Sequence, residues 1–215
     1  TVNPEPQIDD FTETICEGDT FASILPENDT NGVVPSGTIY TWVIADESSD
    51  LIIGGSASTT ASATIPGSEL TLVNDTTSPQ DLIYTVTPNT EEGCEGEPFT
   101  VTITVNPTAQ VNQPENLTLC NGDTAEIDFT TLNQGGDTTY VWQVVLDESD
   151  DIGPITNQGS DQGNINLAVE NNTFDVLTAT IEVIPTFTNN GEQCEGPSKE
   201  FTISVLPKVE LIPID

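Results

Sequence analysis

Phe99-Thr100-Val101-Thr102-Ile103-Thr104-Val105 alternates an apolar residue with Thr at every step. Successive side chains on a strand point to opposite faces, so this stretch has one apolar and one hydroxylated face. It predicts a half-buried β-strand. Strand patterns continue outward from it, at 82–86 and 39–44 on one side and at 139–146 and 177–184 on the other. Shorter runs at 20–25, 70–73, 124–129 and 165–169 read as further strands. Clusters of Gly, Pro, Asn and Asp divide them, among them Asn31-Gly32, Pro66-Gly67, Asn121-Gly122 and Asn190-Gly191. No window of about 12 residues carries a helical stripe.

The pattern occurs twice. Cys16-Glu17-Gly18-Asp19-Thr20 returns as Cys120-Asn121-Gly122-Asp123-Thr124, and Tyr40-Thr41-Trp42 as Tyr140-Val141-Trp142. Asp46-Glu47-Ser48 returns as Asp147-Glu148-Ser149, and Cys94-Glu95-Gly96 as Cys194-Glu195-Gly196. Thr1-Val2-Asn3-Pro4 returns as Thr104-Val105-Asn106-Pro107. Motifs repeated in the same order define two units, 1–106 and 107–215, the second ending in a linker. About seven short strands in about 100 residues, with Trp on the third, predict an all-β chain of two tandem immunoglobulin-like β-sandwiches. The opening Thr1-Val2-Asn3-Pro4 and the close Leu211-Ile212-Pro213-Ile214-Asp215 read as cut ends of a longer chain.

Composition narrows the function classes. The 215 residues include 36 Asp and Glu against 2 Lys and Arg, for a net charge of −34. Such a field repels phosphate backbones and anionic lipid, so neither nucleic acid nor membrane insertion is expected. With no His, the chain lacks Ser-His-Asp chemistry and His metal ligands. Glu91, Glu92 and Glu95 crowd around Cys94, but no cleft or oxyanion donor is legible beside them. The chain is not expected to be an enzyme.

Trp42 and Trp142 offer two readings, sugar-stacking platforms or core residues. A strand position preceded two residues earlier by Tyr40 or Tyr140 favours the core for all four. The acidic loop Asp46-Glu47-Ser48-Ser49-Asp50 recurs as Asp147-Glu148-Ser149-Asp150-Asp151. Closely spaced oxygen ligands suit Ca²⁺, with Asp46, Glu47, Asp50, Asp147, Asp150 and Asp151 as candidates. In so acidic a chain a solvated turn is the default alternative. A melting temperature that rises with Ca²⁺ would mark the site, and an unchanged one would remove it. Lys199 and Lys208 have no basic counterparts in the first repeat, so a repeated isopeptide bond is discounted.

Thr14-Ile15-Cys16-Glu17-Gly18-Asp19-Thr20, Tyr40-Thr41-Trp42, Gly93-Cys94-Glu95-Gly96 and Thr102-Ile103-Thr104-Val105-Asn106-Pro107 carry a family resemblance. Together they resemble the PKD-like, immunoglobulin-like repeats of giant surface adhesins of gliding bacteria. The second repeat departs at Leu206, which replaces the Asn, and at Glu192-Gln193 before its Cys. The resemblance implies secretion to a bacterial cell surface, a part in adhesion or gliding motility, and tandem arrays. The implied partners are neighbouring repeats of the same parent chain, with an external surface or polysaccharide met through other parts of the parent. Asp75-Thr76-Thr77, Asp123-Thr124-Ala125 and Asp137-Thr138-Thr139 resemble O-glycosylation sites on such proteins.

Four Cys in such a chain suggest disulfides. Pairing within each repeat would join Cys16 to Cys94 and Cys120 to Cys194, at similar spacings. Sandwich geometry argues otherwise. Cys16 belongs at the turn after the first strand and Cys94 at the turn before the last, at opposite ends of a strand about 20 Å long. A disulfide needs Cα atoms within about 7 Å. Stacking the repeats end to end instead brings Cys16 to Cys194 and leaves Cys94 and Cys120 unpaired. The inter-repeat pairing is placed slightly ahead, with the internal pairing kept open. The function expected is a structural spacer. The alternative is a carbohydrate- or protein-binding module on the unrepeated loops 28–37 and 54–67.

Overall fold

The computed structural model describes residues 4–73, 75–145, 152–157 and 160–208. The chain is all-β, apart from one helical turn, and forms two compact units with separate apolar cores. The first lies within Thr1–Thr108, Gln134–Gly136 and Thr188–Cys194. The second lies within Ala109–Asn133, Asp137–Phe187 and Glu195–Asp215.

The first unit contains β1 (Gln7–Ile8), β2 (Phe11–Cys16), β3 (Gly32–Val33), β4 (Ile39–Ile44), β5 (Ile52–Ile53), β6 (Ser58–Ser62), β7 (Thr71–Leu72), β8 (Gln80–Asn89) and β9 (Phe99–Asn106). Its main sheet runs β2-β9-β8-β4-β6. The Thr-alternating stretch is β9, antiparallel to β8 and parallel to β2. Its Phe99, Val101, Ile103 and Val105 are buried, while Thr100, Thr102 and Thr104 are half-exposed on the other face. The facing layer is the β5–β7 pair plus two isolated bridges, Thr20 with Glu69 and Ile24 with Ile65. Phe21, Ile24, Ile65 and Leu70 from that layer share one core with Val86, Val101 and Ile103.

Two features differ from the sequence expectation. Residues 20–25 are not a continuous strand, because Pro66-Gly67 lies between their two bridge partners. Proline has no N–H to give to a ladder, so pairing is limited to the ends. Conversely, Ser58–Ser62 is a strand that apolar alternation could not reveal. It pairs with β4 at the sheet edge and its middle residues are exposed, so it carries no buried stripe.

The second repeat follows the same plan with β10 (Leu117–Leu119), β11 (Thr124–Ile127), β12 (Asp137–Val145), α1 (Pro154–Asn157), β13 (Ser160–Gln162), β14 (Ile165–Ala168), β15 (Leu177–Asn189), β16 (Glu192–Glu195) and β17 (Lys199–Val205), of which Thr188–Cys194 belongs to the first compact unit. One sheet runs β10-β17-β15-β12-β13, with β10 parallel to β17, and β11 pairs with β14. Trp142, Ile181, Phe201 and Ile203 pack with Ala125, Phe129, Ile165 and Val169 in its core. The single turn α1 opens on Pro154, whose fixed φ suits a first helical position. It buries Ile155 in the same core. Among the described residues no helix is long and apolar enough to cross a membrane.

A fully buried amide fixes the lower edge of this core. Asn171 donates from Nδ2 to the carbonyls of Asp175 and Val205, both at 2.8 Å. Its Oδ1 accepts from the Thr173 N–H at 2.9 Å and from Thr173 Oγ1 at 2.8 Å. Asn171→Ala removes every one of these bonds and leaves the Val205 carbonyl without this donor. The expected loss is about 2–3 kcal/mol, read as a lower urea midpoint for the transition of the second unit.

Candidate functional site

The Cys16 end of the first unit is built by two parallel strands that stop together. In the β2–β9 register Ile15 lies opposite Val105 and Cys16 opposite Asn106. A tight turn follows. The Asp19 N–H donates to the Cys16 carbonyl at 3.0 Å, and Gly18 takes φ +88°, which favours glycine. The Gly18 N–H donates to the Leu70 carbonyl at 2.8 Å. Glu17 ties the turn down: its Oε1 accepts from the Leu72 N–H at 3.2 Å and its Oε2 from Thr108 Oγ1 at 3.1 Å.

The partner is a hairpin. β15 and β16 pair across Asn190-Gly191, whose φ values of 51° and 84° are those of a type I′ turn. Cys194 on β16 is bonded to Cys16, with Cα atoms 5.5 Å apart and a sequence separation of 178. Beside the bond, the wholly buried Asn106 and the half-buried Asn189 form a reciprocal pair. Asn189 Nδ2 donates to Asn106 Oδ1 at 2.9 Å, and Asn106 Nδ2 donates to the Asn189 carbonyl at 3.2 Å. Asn190 Nδ2 reaches Thr14 Oγ1 at 3.4 Å. The bond thus joins the first sequence repeat to the hairpin of the second, and both its ends lie within the first compact unit. Nothing in the sequence pattern marks Asn106 and Asn189 as partners.

Cys94 and Cys120 are free and exposed. Cys94 sits in the turn before β9, whereas Cys16 lies beside the last residue of that strand. The length of β9, about 23 Å at about 3.3 Å per residue, separates them. That distance is why the internal pairing does not form.

The acidic loop of the first repeat is held by its serines, not its acids. Ser48 Oγ donates to the Ile83 carbonyl at 2.9 Å and accepts from the Ile83 N–H at 2.8 Å. Ser49 Oγ bonds Gln80 Oε1 at 2.6 Å. Asp46, Glu47 and Asp50 are exposed. Among the described residues no group of three or more His, Cys, Asp or Glu side chains could hold a metal ion. In this loop the serines, not the acids, make the hydrogen bonds to β8. Asp147, Asp150 and Asp151 lie outside the described residues. Glu91, Glu92 and Glu95 are exposed beside Cys94.

Trp42 is 6% exposed and Trp142 1%, so neither indole face is open to a sugar. Tyr40 is buried edge-on against Phe99 and its hydroxyl pKa is pushed up to about 12 by that burial. Tyr140 is only half-buried and packs against Phe129 at the rim of its core.

Among the described residues two carboxylates titrate below their ordinary range. Asp10 is held down by the Thr100 backbone N–H, 2.6 Å from its Oδ1. Glu182 is held down by Ser198 and then by Gln143, whose Nε2 lies 2.6 Å from it. A depressed folded pKa contributes stability above the ordinary carboxyl range, and loses it as pH falls through the folded value. The net charge of −34 acts in the opposite direction, since its self-repulsion eases as acids protonate. The melting temperature is expected to rise from pH 7 toward about 5 and to fall below about 4. Asp10→Asn should flatten the acid limb and leave the rise intact. A curve that falls steadily from pH 7 would show that self-repulsion is too weak to govern stability in this range.

Comparison with curated proteins finds no match. Among solved structures the chain is 16% identical to the 2,6-sialyltransferase of Photobacterium, over 56% of this chain and 20% of that one, with a TM-score of 0.30. It is 14% identical to extracellular domains 3–5 of Drosophila OTK, over 95% of this chain and 61% of that one, at a TM-score of 0.40. It is 14% identical to domains EC1-2 of human mucin-like protocadherin, over 94% and 98%, at 0.34. The chain spans less than two thirds of the first two of these. Residues 13–109, which hold the Cys16 turn, the Trp42 strand and the Cys94 turn, match the family model of the PKD-like domain.

Proposed function

We propose that this chain is a pair of structural spacer repeats from a secreted bacterial cell-surface adhesin, serving adhesion or gliding motility and carrying out no catalysis. One observation carries the reading. The Cys16–Cys194 bond closes a loop with a sequence separation of 178, which takes in nearly all of both units. Tension applied at the two ends of the chain passes from residue 16 to residue 194 through the bond. The folded residues between them are bypassed and cannot lengthen. A spacer that must hold a distal tip at fixed distance needs this property, and an enzyme or a soluble binding module does not. A disulfide also belongs to an oxidising compartment, as expected of a surface protein. The acidity suits the same role by keeping neighbouring filaments apart.

Single-molecule pulling from the termini tests it. The oxidised chain should release only the segments outside the loop. With a reductant present, unfolding should release about 60 nm more, from a separation of 178 at about 3.5 Å per residue. Equal release in both conditions would end the reading. The second reading, a ligand-binding module on loops 28–37 and 54–67, would be favoured by selective binding to a glycan array.

A further inference from the structure

We infer that Cys120 is a socket for a cysteine-bearing β-hairpin of a following repeat, where a second crosslink of the Cys16–Cys194 kind closes. The inference rests on the spacer reading and names the partner that such a spacer requires.

The turns after Cys16 and Cys120 share one build. Leu119 lies opposite Val205 in a parallel pair, as Ile15 lies opposite Val105. The Asp123 N–H donates to the Cys120 carbonyl at 3.1 Å, matching the 3.0 Å bond from Asp19 to Cys16. The Gly122 N–H donates to the Val169 carbonyl at 3.0 Å, and the Val169 N–H returns a bond to the Asp123 carbonyl at 2.9 Å. In the first repeat Gly18, Leu70 and Asp19 make the same exchange at 2.8 and 3.0 Å. Gly122 takes φ +89° where Gly18 takes +88°. Asn121 Oδ1 accepts from the Asn171 N–H at 2.8 Å, in the place of the bond from Leu72 to Glu17. Cys120 is thus presented on the backbone that, at Cys16, carries a covalently bound hairpin.

What differs is the neighbour of the thiol. Asn106, which follows Val105, is 0% exposed and paired with Asn189. Leu206, which follows Val205, is 38% exposed beside the exposed Cys120. An Asn set against Leu206 would lose the amide partner it has on Asn106, and an apolar residue would bury the leucine instead. The matching hairpin therefore carries an apolar residue at the position of Asn189. It is also a long hairpin. The bonds from Gly96 to the Pro88 carbonyl and from Gly196 to the Pro185 carbonyl mark equivalent closures. They enclose residues 89–95 in the first repeat and 186–195 in the second, so the Cys94 turn is the shorter one and the poorer fit.

Closing the bond joins two sulfurs and releases two protons and two electrons. A small-molecule disulfide such as oxidised glutathione takes them. The Cys120 thiolate first displaces one glutathione thiol, and the hairpin thiolate then displaces the other.

The test is a three-repeat chain in which Pro207 is followed by a second copy of residues 108–208, with Asn189→Leu in the appended copy. It is equilibrated in glutathione buffer, its free thiols are alkylated, and it is mapped by mass spectrometry. The expected result is Cys120 bonded to the Cys194 of the appended copy, with Cys16–Cys194 intact. Restoring Asn189 in the appended copy should weaken that bond at least tenfold against glutathione. Adding Leu206→Asn at the Cys120 socket should then recover it. Alkylated Cys120 in every version, with Cys16–Cys194 intact, would overturn the inference. So would equal bonding in all three. Neither result would touch the spacer reading, which stands or falls on the pulling lengths of the original chain.

Discussion

Replacing Cys16 and Cys194 together by Ser is expected to lower the melting temperature of the first unit by about 20 °C. The bond has a sequence separation of 178, and in the chain-entropy model a loop of that order removes about 4–5 kcal/mol from the unfolded state. A domain of about 100 residues shifts by about 4–8 °C per kcal/mol. Two units with separate cores give two transitions, so the loss must be assigned by calorimetry with both resolved. The transition of the second unit should move less, since its core includes no residue of the Thr188–Cys194 tip. A fall of under about 5 °C in the first transition would mean that the Asn106–Asn189 pair already holds the hairpin, at about 1 kcal/mol per bond. Asn106→Ala in the Ser background separates the two contributions.

How far the sequence reveals this site can be judged residue by residue. The strand containing Phe99, Val101, Ile103 and Val105 is legible because one of its faces is wholly buried. The positions of Cys16 and Cys94 relative to that strand follow from order along the chain, and with them the distance that keeps the two apart. Asn106 stands in a repeated Val-Asn-Pro and Leu206 replaces it in the second repeat, but letters alone give that exchange no physical meaning. Only the structure shows that the first is buried against an amide and the second is left open. Glu192 and Gln193 look like departures from the repeat, whereas they extend the hairpin as β16. The acidic loop misleads because charge is conspicuous and a serine clamp is not. Ser48 contacts the backbone of a strand distant in sequence, and no local pattern encodes that. Ser58–Ser62 is invisible for the related reason that an exposed edge strand has no periodic apolar face.

Truncating either tryptophan to Ala should cost about 3–5 kcal/mol in its own unit, the usual range for emptying a buried aromatic site. Phenylalanine replacements should separate the two. Trp42 Nε1 donates to the Ser56 carbonyl at 2.7 Å, and Ser56 is held from its other side by donating its N–H to the Tyr84 hydroxyl at 3.2 Å. Trp42→Phe therefore loses a hydrogen bond along with buried area. Trp142 is more deeply buried, yet its Nε1 has no hydrogen-bond partner among the described residues. A buried donor left without a partner costs about 1–3 kcal/mol, and where Trp142 Nε1 is left so, Trp142→Phe removes that cost. Trp42→Phe should thus destabilise its unit by about 1–2 kcal/mol more than Trp142→Phe does. Urea unfolding of the two variants, each scored on its own transition, measures the difference. An equal or reversed order would mean that Trp142 Nε1 has a partner outside the described residues.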